Sequence, residues 1–307
     1  MTPQVSIVLP CRGRAALLDR AVASVRAQTF RAWELLVIDD ASDPPLAPAP
    51  DPRLRVIRLA RNLGPARARE AGLAQARAPL AAFLDSDDVW RPDKLALQIA
   101  RLADGPPRAL VCGARVEGPG GARLRPSRAA RPGERIGAFL YIANEFAQAS
   151  CVLAPTEAAR AAGFGGLRQY EDHYFLLRLA AQGLPVEASA EPLVIHSDDA
   201  PDRLGAADDP GDAEAFLAAA EDLLTPSEAQ AFRLRCLGPG LARQGAPGAL
   251  ALALGGLRRP DAPKGAAAKL ALRALLGDRV YAALQGLAKA GPVAGLRGFR
   301  PRALRTS

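Results

Sequence analysis

Through the first two thirds of the chain, short apolar runs alternate with segments whose apolar residues recur at helical spacing. Gln4 to Pro10 is an apolar run closed by proline; Trp33 to Ile38, Leu54 to Leu59, Pro79 to Leu84 and Leu110 to Val116 are four more of strand length. Between them, Ala15 to Gln28 carries Leu18, Val22 and Val25 on one helical face. Ala66 to Arg77 opens behind Gly64 and Pro65, and Pro92 to Ala103 reads as a third helix, begun by Trp90 and Arg91. Strands alternating with helices of this length predict an α/β domain with a mostly parallel sheet. Gly118 to Pro132 reads as a loop or short hairpin, and Ile136 to Ile142 as a short helix. Gln148 to Leu153 is a further strand, and Pro155 to Ala162 a helix stopped by Gly163. Tyr174 to Gln182 is a helix opened by Tyr170, Glu171, Asp172 and His173, and Val186 to Ala188 and Leu193 to Ile195 are short strands. From Asp212 the pattern changes to Ala/Leu helices, with a capping box at Thr225 to Glu228 and segments over 246–258, 265–276 and 278–290.

The polar residues that close the apolar runs carry the candidate chemistry. The run ending at Leu84 meets three carboxylates within four residues, Asp85, Asp87 and Asp88. Crowding negative charge at a strand end costs free energy unless a cation sits there. Hard divalent cations such as Mg²⁺ or Mn²⁺ take carboxylate oxygens and keep positions open for substrate phosphates. The cluster therefore reads as a metal–diphosphate site, or as an acidic loop capping the next helix. A second strand end carries Asp39 and Asp40, and ligands of open α/β sheets bind beyond the carboxyl ends of strands.

Composition narrows the class. At 307 residues with 49% hydrophobic content, the chain can bury a sizeable core. Arginine outnumbers lysine 36 to four, which reads as codon bias and lowers the weight of any single arginine. Cys11, Cys112, Cys151 and Cys236 are dispersed without a CxxC and read as reduced, buried thiols, which points to a cytoplasmic protein. No signal-peptide pattern and no spanning run of about 18 apolar residues is present in the sequence. The net charge of +8 is uneven: residues 230–307 hold 14 Lys/Arg and two Asp/Glu, leaving 26 against 30 in residues 1–229. A basic tail on a near-neutral body suggests an anionic partner. No aromatic-interleaved recognition motif accompanies it, so no nucleic acid is expected.

In this order, Val5 to Pro10, Leu36 to Ser42 with Asp39 and Asp40, Arg61 to Gly64 through Gly72, Phe83 to Asp88, Ala162 to Phe164 and Glu171-Asp172, the chain resembles the family 2 glycosyltransferases over roughly residues 4–197. The resemblance implies a GT-A fold, a Rossmann-like mixed sheet flanked by helices. Residues 1–205 would form the catalytic domain and 206–307 a helical, basic C-terminal extension. It further implies an inverting, metal-dependent transfer of a single sugar from a nucleotide-sugar, taken as a UDP-sugar, to a hydroxyl of a glycan or lipid-linked acceptor in cell-surface glycan synthesis. Pro10, Arg12, Asp39, Asp40, Arg67 and Asp85 would contact the donor, one aspartate accepting from the base's imide N–H. Asp85 and Asp87 would hold Mg²⁺ or Mn²⁺, with His196 as a further metal or diphosphate contact. Asp172 would be the catalytic base, with Glu171 in reserve.

Each assignment has a plainer counterpart. Asp39 and Asp40 can belong to an Asx-turn, Arg12 and Arg67 to a solvated face, His196 to a structural hydrogen bond, and Asp172 to a helix N-terminus. Three departures from the family pattern stand out: Ala41 replaces a glycine, Gly165 to Tyr170 lacks the usual acidic opening, and the Gln-x-x-Arg-Trp motif of processive synthases is absent. The rival readings are a nucleotidyltransferase on a related fold, for which Cys11 to Arg14 is a faint phosphate loop, and a catalytically inactive glycan-binding scaffold. The basic extension would either dock peripherally on an anionic membrane surface at its inner face or simply pack on the catalytic domain.

Overall fold

As far as residue 84, the strand-and-helix order expected from the pattern is the order of the folded chain. A computed structural model describes residues 2–103, 105–118, 121–197, 209–278, 280, 281, 283 and 284. β1 (Val5–Cys11) and β2 (Trp33–Asp39) are buried along their whole length, as strands covered on both faces must be. α1 (Ala15–Arg26) connects them, and β3 (Leu54–Arg58) lies at the sheet edge, partly exposed. α2 (Gly64–Gln75) crosses back to β4 (Leu80–Phe83). Gly72 lets α2 settle onto the sheet: a Cβ there would stand 2.3 Å from Val8 Cγ1 and 3.2 Å from Ile38 Cγ1.

Beyond β4 come β5 (Val89–Trp90), α3 (Lys94–Ala103), β6 (Ala109–Glu117), β7 (Arg123–Arg125), β8 (Val152–Pro155), α4 (Thr156–Ala162), α5 (Glu171–Ala181) and β9 (Val186–Ser197). The sheet order is β3-β2-β1-β4-β8-β6-β9-β5, with β7 hairpinned onto β6. β3, β2, β1 and β4 are parallel, whereas β8 runs antiparallel to both β4 and β6. The sheet is thus mixed rather than mostly parallel. Parallel neighbours need a crossover, usually a packed helix; only single helical turns, Ala138–Ile142 and Ala149–Cys151, precede β8 after β7.

Two further expectations change. Trp90 does not begin a helix: its ring is buried, its Nε1 donates to the Ser150 carbonyl at 2.9 Å, and β5 pairs with β9. The two short strands at 186–195 are one strand, β9, kept in register with β6 by irregularities around Gly113. The Ala190 carbonyl lies 2.7 Å from where a Gly113 Cβ would be, so only glycine admits this approach.

The Ala/Leu region forms α6 (Pro210–Ala219), α7 (Pro226–Phe232), α8 (Gly238–Arg243), α9 (Gly248–Arg258) and α10 (Lys264–Leu276). The capping box at Thr225 and Glu228 is formed. Phe216 and Phe232 join the sheet's own core, whereas Ala242, Ala249, Ala253, Ala267 and Leu270 make a smaller cluster of their own around Leu234. The division expected at 205/206, and most of the helix expected over 278–290, lie outside the described residues. Among the described residues, no helix is long and apolar enough to cross a membrane.

Candidate functional site

The carboxyl ends of β1, β2 and β4, the end of β9 and the start of α5 bring the candidate residues forward. At β2, Asp39 is buried and spends its oxygens inward. Oδ1 accepts from the Ser42 amide at 2.8 Å, and Oδ2 accepts from the Leu46 amide at 3.3 Å and from Arg58 at 2.9 Å. Burial alone would raise its pKa; the Ser42 and Leu46 hydrogen bonds and the Arg58 charge outweigh it and hold the carboxyl below the ordinary value. Asp40 accepts from the amides of Leu63 at 2.7 Å and Gly64 at 2.9 Å, satisfying orphan donors at the start of α2. Both aspartates therefore brace the loop and the helix end. Ala41, directly after Asp40, adopts a left-handed backbone, φ 56°. Pro10 is buried within β1 and Arg12 is exposed beyond it. Arg67 is exposed, pairs with Glu70 at 2.8 Å and lies beside Gly166 of the loop before α5.

After β4 the three acids part company. Asp85 donates its amide to Ser150 Oγ at 3.0 Å and pairs through Oδ1 with Arg69 at 2.5 Å. Asp87 pairs with Arg14, at the end of the β1 loop, at 3.1 Å. Asp88 is wholly buried, accepting from Gln148 Nε2 at 3.0 Å and meeting His196 Nδ1 at 2.8 Å. Its burial raises its pKa, against the opposing bond and charge of His196. The structure thus brings His196 to Asp88, the one acid of the three not assigned to the metal, and Asp88 does not cap α3.

Arg69 is the functional candidate that sequence reasoning passed over. It is 3% exposed, and its guanidinium forks between Asp85 and Glu171, the latter at 2.8 Å. Its Nε finds no partner among the described residues, and its Cζ lies 5.3 Å from the centre of the Phe164 ring. A signal was present: Arg69 falls on the same helical face as Ala66, Gly72 and Leu73, the inward face of α2, and a buried arginine requires partners.

Glu171 and Asp172 open α5. Tyr170, just before them, holds φ 62° and is packed against Phe232 at 5.1 Å and Phe216 at 5.6 Å between ring centres. Burial pushes Glu171 up to about 7, against the Arg69 charge and with help from Asp172. Asp172 is half-buried, and its Oδ1 takes the amide of His173 at 2.8 Å. His173 Nδ1 in turn meets the hydroxyl of the buried Tyr141 at 3.1 Å.

Among the described residues, no three His, Cys, Asp or Glu side chains form a ready metal centre. Asp85 and Asp87 nevertheless fit a hard divalent ion. Both are partly exposed, both present oxygen donors, and each now has an arginine as its cation. Two carboxylates completed by diphosphate oxygens are a normal Mg²⁺ set.

The family model described as glycosyl transferase family 2 matches residues 6–163. The chain is 45% identical over 103 residues to the succinoglycan biosynthesis protein ExoO of Rhizobium meliloti, covering 32% of this chain and 30% of that protein. It is 35% identical over 103 residues to the putative teichuronic acid biosynthesis glycosyltransferase TuaG of Bacillus subtilis, covering 32% and 41%. The aligned stretches thus span well under half of these curated relatives. Among solved structures, S. aureus TarS 1-349 in complex with UDP-GlcNAc superposes with a TM-score of 0.60 at 17% identity, over 90% of this chain and 80% of that one. The mannosyltransferase PcManGT from Pyrobaculum calidifontis, in complex with GDP-Man and Mn²⁺, does so with a TM-score of 0.56 at 20% identity, over 94% and 86%. At such identities these likenesses establish the shared fold.

Proposed function

The chain belongs to glycosyl transferase family 2 and has the GT-A fold, and from that premise we propose that it moves one sugar from a nucleotide-sugar to an acceptor hydroxyl, inverting the anomeric carbon. The observation that carries this reading is the Arg69 guanidinium that joins Asp85, two residues before Asp87, to Glu171, next to Asp172. Asp85 and Asp87 would hold Mg²⁺ or Mn²⁺, which when bound offsets charge on the leaving diphosphate. Arg14 neutralises Asp87 in the free protein and is the cation the donor complex displaces. Asp172, half-buried and with one oxygen unbonded among the described residues, takes the acceptor hydroxyl's proton at that oxygen as the new bond forms. The transition state is oxocarbenium-like, as in other glycosyl chemistry. Glu171 stays on Arg69, keeping the acceptor-side helix start in fixed relation to Asp85. His196 acts through Asp88, holding the loop that carries Asp85 and Asp87.

Asp40, with Pro10 and Arg12 beside it, lines the donor end; Asp39 keeps the loop in shape and Arg67 faces the acceptor loop. A UDP-sugar is the donor in this reading, the TarS complex holding UDP-GlcNAc, with GDP-mannose, held in the PcManGT complex, as the contrast. The acceptor in this reading is a glycan or lipid-linked hydroxyl, met on the cytoplasmic side where nucleotide-sugars are available; the relatives' names, succinoglycan and teichuronic acid biosynthesis, support a place in polysaccharide synthesis.

The test is a panel of UDP- and GDP-sugars with Mn²⁺ or Mg²⁺, read by calorimetry and donor hydrolysis. One donor should bind with metal, and Asp87→Ala should abolish that binding. Asp172→Asn should keep binding and lose turnover by about 10² or more. No binding of any nucleotide-sugar with either metal would overturn the assignment.

A further inference from the structure

Exposed leucines are concentrated at the C-terminal end of the described chain. Of twelve large hydrophobic side chains exposed among the described residues, seven lie between 254 and 284. α9 exposes Leu254 and Leu257. α10 exposes Leu272, Leu275 and Leu276, with Leu275 at 69%. On α10 these leucines continue a helical stripe through Gly265, Ala268 and Lys269, opposite Ala267 and Leu270, which pack inward. Such a patch on a folded surface marks an interaction site.

The charge around it decides what covers it. The described stretch that forms α9, α10 and the turn between them, residues 248–278, carries five Lys/Arg and only two Asp/Glu. Those two acids, Asp261 and Asp278, are already held by Arg259 at 2.9 Å and by Arg273. Arg258 and Lys269 are exposed on α9 and α10 themselves. A second copy of this chain would set one net-basic face against another, which disfavours self-association. A protein partner is poorly matched as well: α9 and α10 contain no aromatic residue, and aromatic anchors carry most protein interfaces. Leucines beside Arg258 and Lys269, which pair with no acid among the described residues, suit acyl chains beneath anionic headgroups. The two helices are held as a unit, since the Lys264 ammonium bonds the Leu257 carbonyl at the end of α9 at 2.7 Å.

We infer that α9 and α10 form a peripheral docking surface for an anionic lipid bilayer. This surface is independent of the transferase chemistry, and no residue on it belongs to the candidate active site.

The test is flotation of the full chain with vesicles of phosphatidylcholine alone and of phosphatidylcholine with phosphatidylglycerol, at low and high salt. The expected result is binding to the anionic vesicles only, weakened about tenfold or more by high salt. Leu272→Glu with Leu275→Glu should lower partitioning by about tenfold or more at an unchanged thermal midpoint. If that pair unfolds the chain, Arg258→Glu with Lys269→Glu should abolish the preference for anionic vesicles. No flotation, or equal flotation with neutral vesicles, overturns the inference. So does a concentration-dependent dimer that Leu275→Glu breaks, or capture by polyglutamate without capture by vesicles.

Discussion

One guanidinium serves two carboxylates at the rim, and that imbalance has a pH signature. Arg69 cannot fully compensate both Asp85 and Glu171, and the more buried Glu171 is raised from 4.5 to about 7, first by burial. Between those values the folded chain holds a proton that the unfolded chain has lost. Stability therefore falls as pH rises through the window, and the penalty is complete above about pH 7. Glu171→Gln keeps an acceptor for Arg69 and removes the ionisation. The thermal midpoint of the variant, minus that of the parent, should rise across the window and level off above it; a flat difference would show that Glu171 is ionised throughout. The acids on either side of this arginine were legible in the sequence because short motifs mark them. Arg69 was not, because 36 arginines dilute any single one and only its position on the buried face of α2 sets it apart. The partners of Asp88 were hidden for another reason: Gln148 and His196 are 60 and 108 residues away, and no local pattern encodes such contacts.

At the scale of elements, the parallel half was legible because its strands are continuous apolar runs and its helices have clear starts. β5 and the single strand β9 were not, because a two-residue strand has no period and extra residues of β9 between Ala188 and Val194, opposite Gly113 of β6, interrupt its alternation. Two substitutions test how these elements are held. Ala41 sits at φ 56°, where a Cβ costs about 1–2 kcal/mol and glycine gives back about 0.5–1 in unfolded entropy. Ala41→Gly, which restores the family's common residue, should stabilise the chain by about 0.5–1 kcal/mol in a denaturant titration. Gly72→Ala runs the other way. Its Cβ would sit 2.3 Å from Val8 Cγ1 in a strand packed on both faces, so overpacking of about 1–3 kcal/mol outweighs a helix-propensity gain of about 1. The midpoint should fall, and an unchanged or higher midpoint would mean that α2 can lift from the sheet at no cost.

For the whole molecule, the open question is how much of the C-terminal region the catalytic half needs. Composition separates the region at about residue 206, yet the packing divides further along. Phe216 and Phe232 stack at 4.5 Å between ring centres, and Tyr141 meets Phe232 edge-on at 5.1 Å. Arg235 donates to the Tyr141 carbonyl at 2.7 Å, and the buried Glu228 receives Arg135 at 2.9 Å. Tyr141 holds His173, the neighbour of Asp172, so the first helices of the region back the Asp172 end of the candidate site. The sequence could show a change of composition but not which side chains cross it, since a phenylalanine in an Ala/Leu helix reads the same whether it packs locally or on the sheet. Losing one such phenylalanine costs about 3–5 kcal/mol, and two approach the whole stability of a domain, about 5–15 kcal/mol. A chain ending at residue 205 should therefore lack a cooperative thermal transition. One ending at residue 247 keeps α6, α7 and α8, and should retain both that transition and donor binding, with a lowered midpoint because Leu234 loses the cover of Ala253, Gly256 and Ala267. Circular dichroism melts of the two truncations decide between these outcomes, and a folded, donor-binding 1–205 chain would show that the aromatic cluster is dispensable to the site it backs.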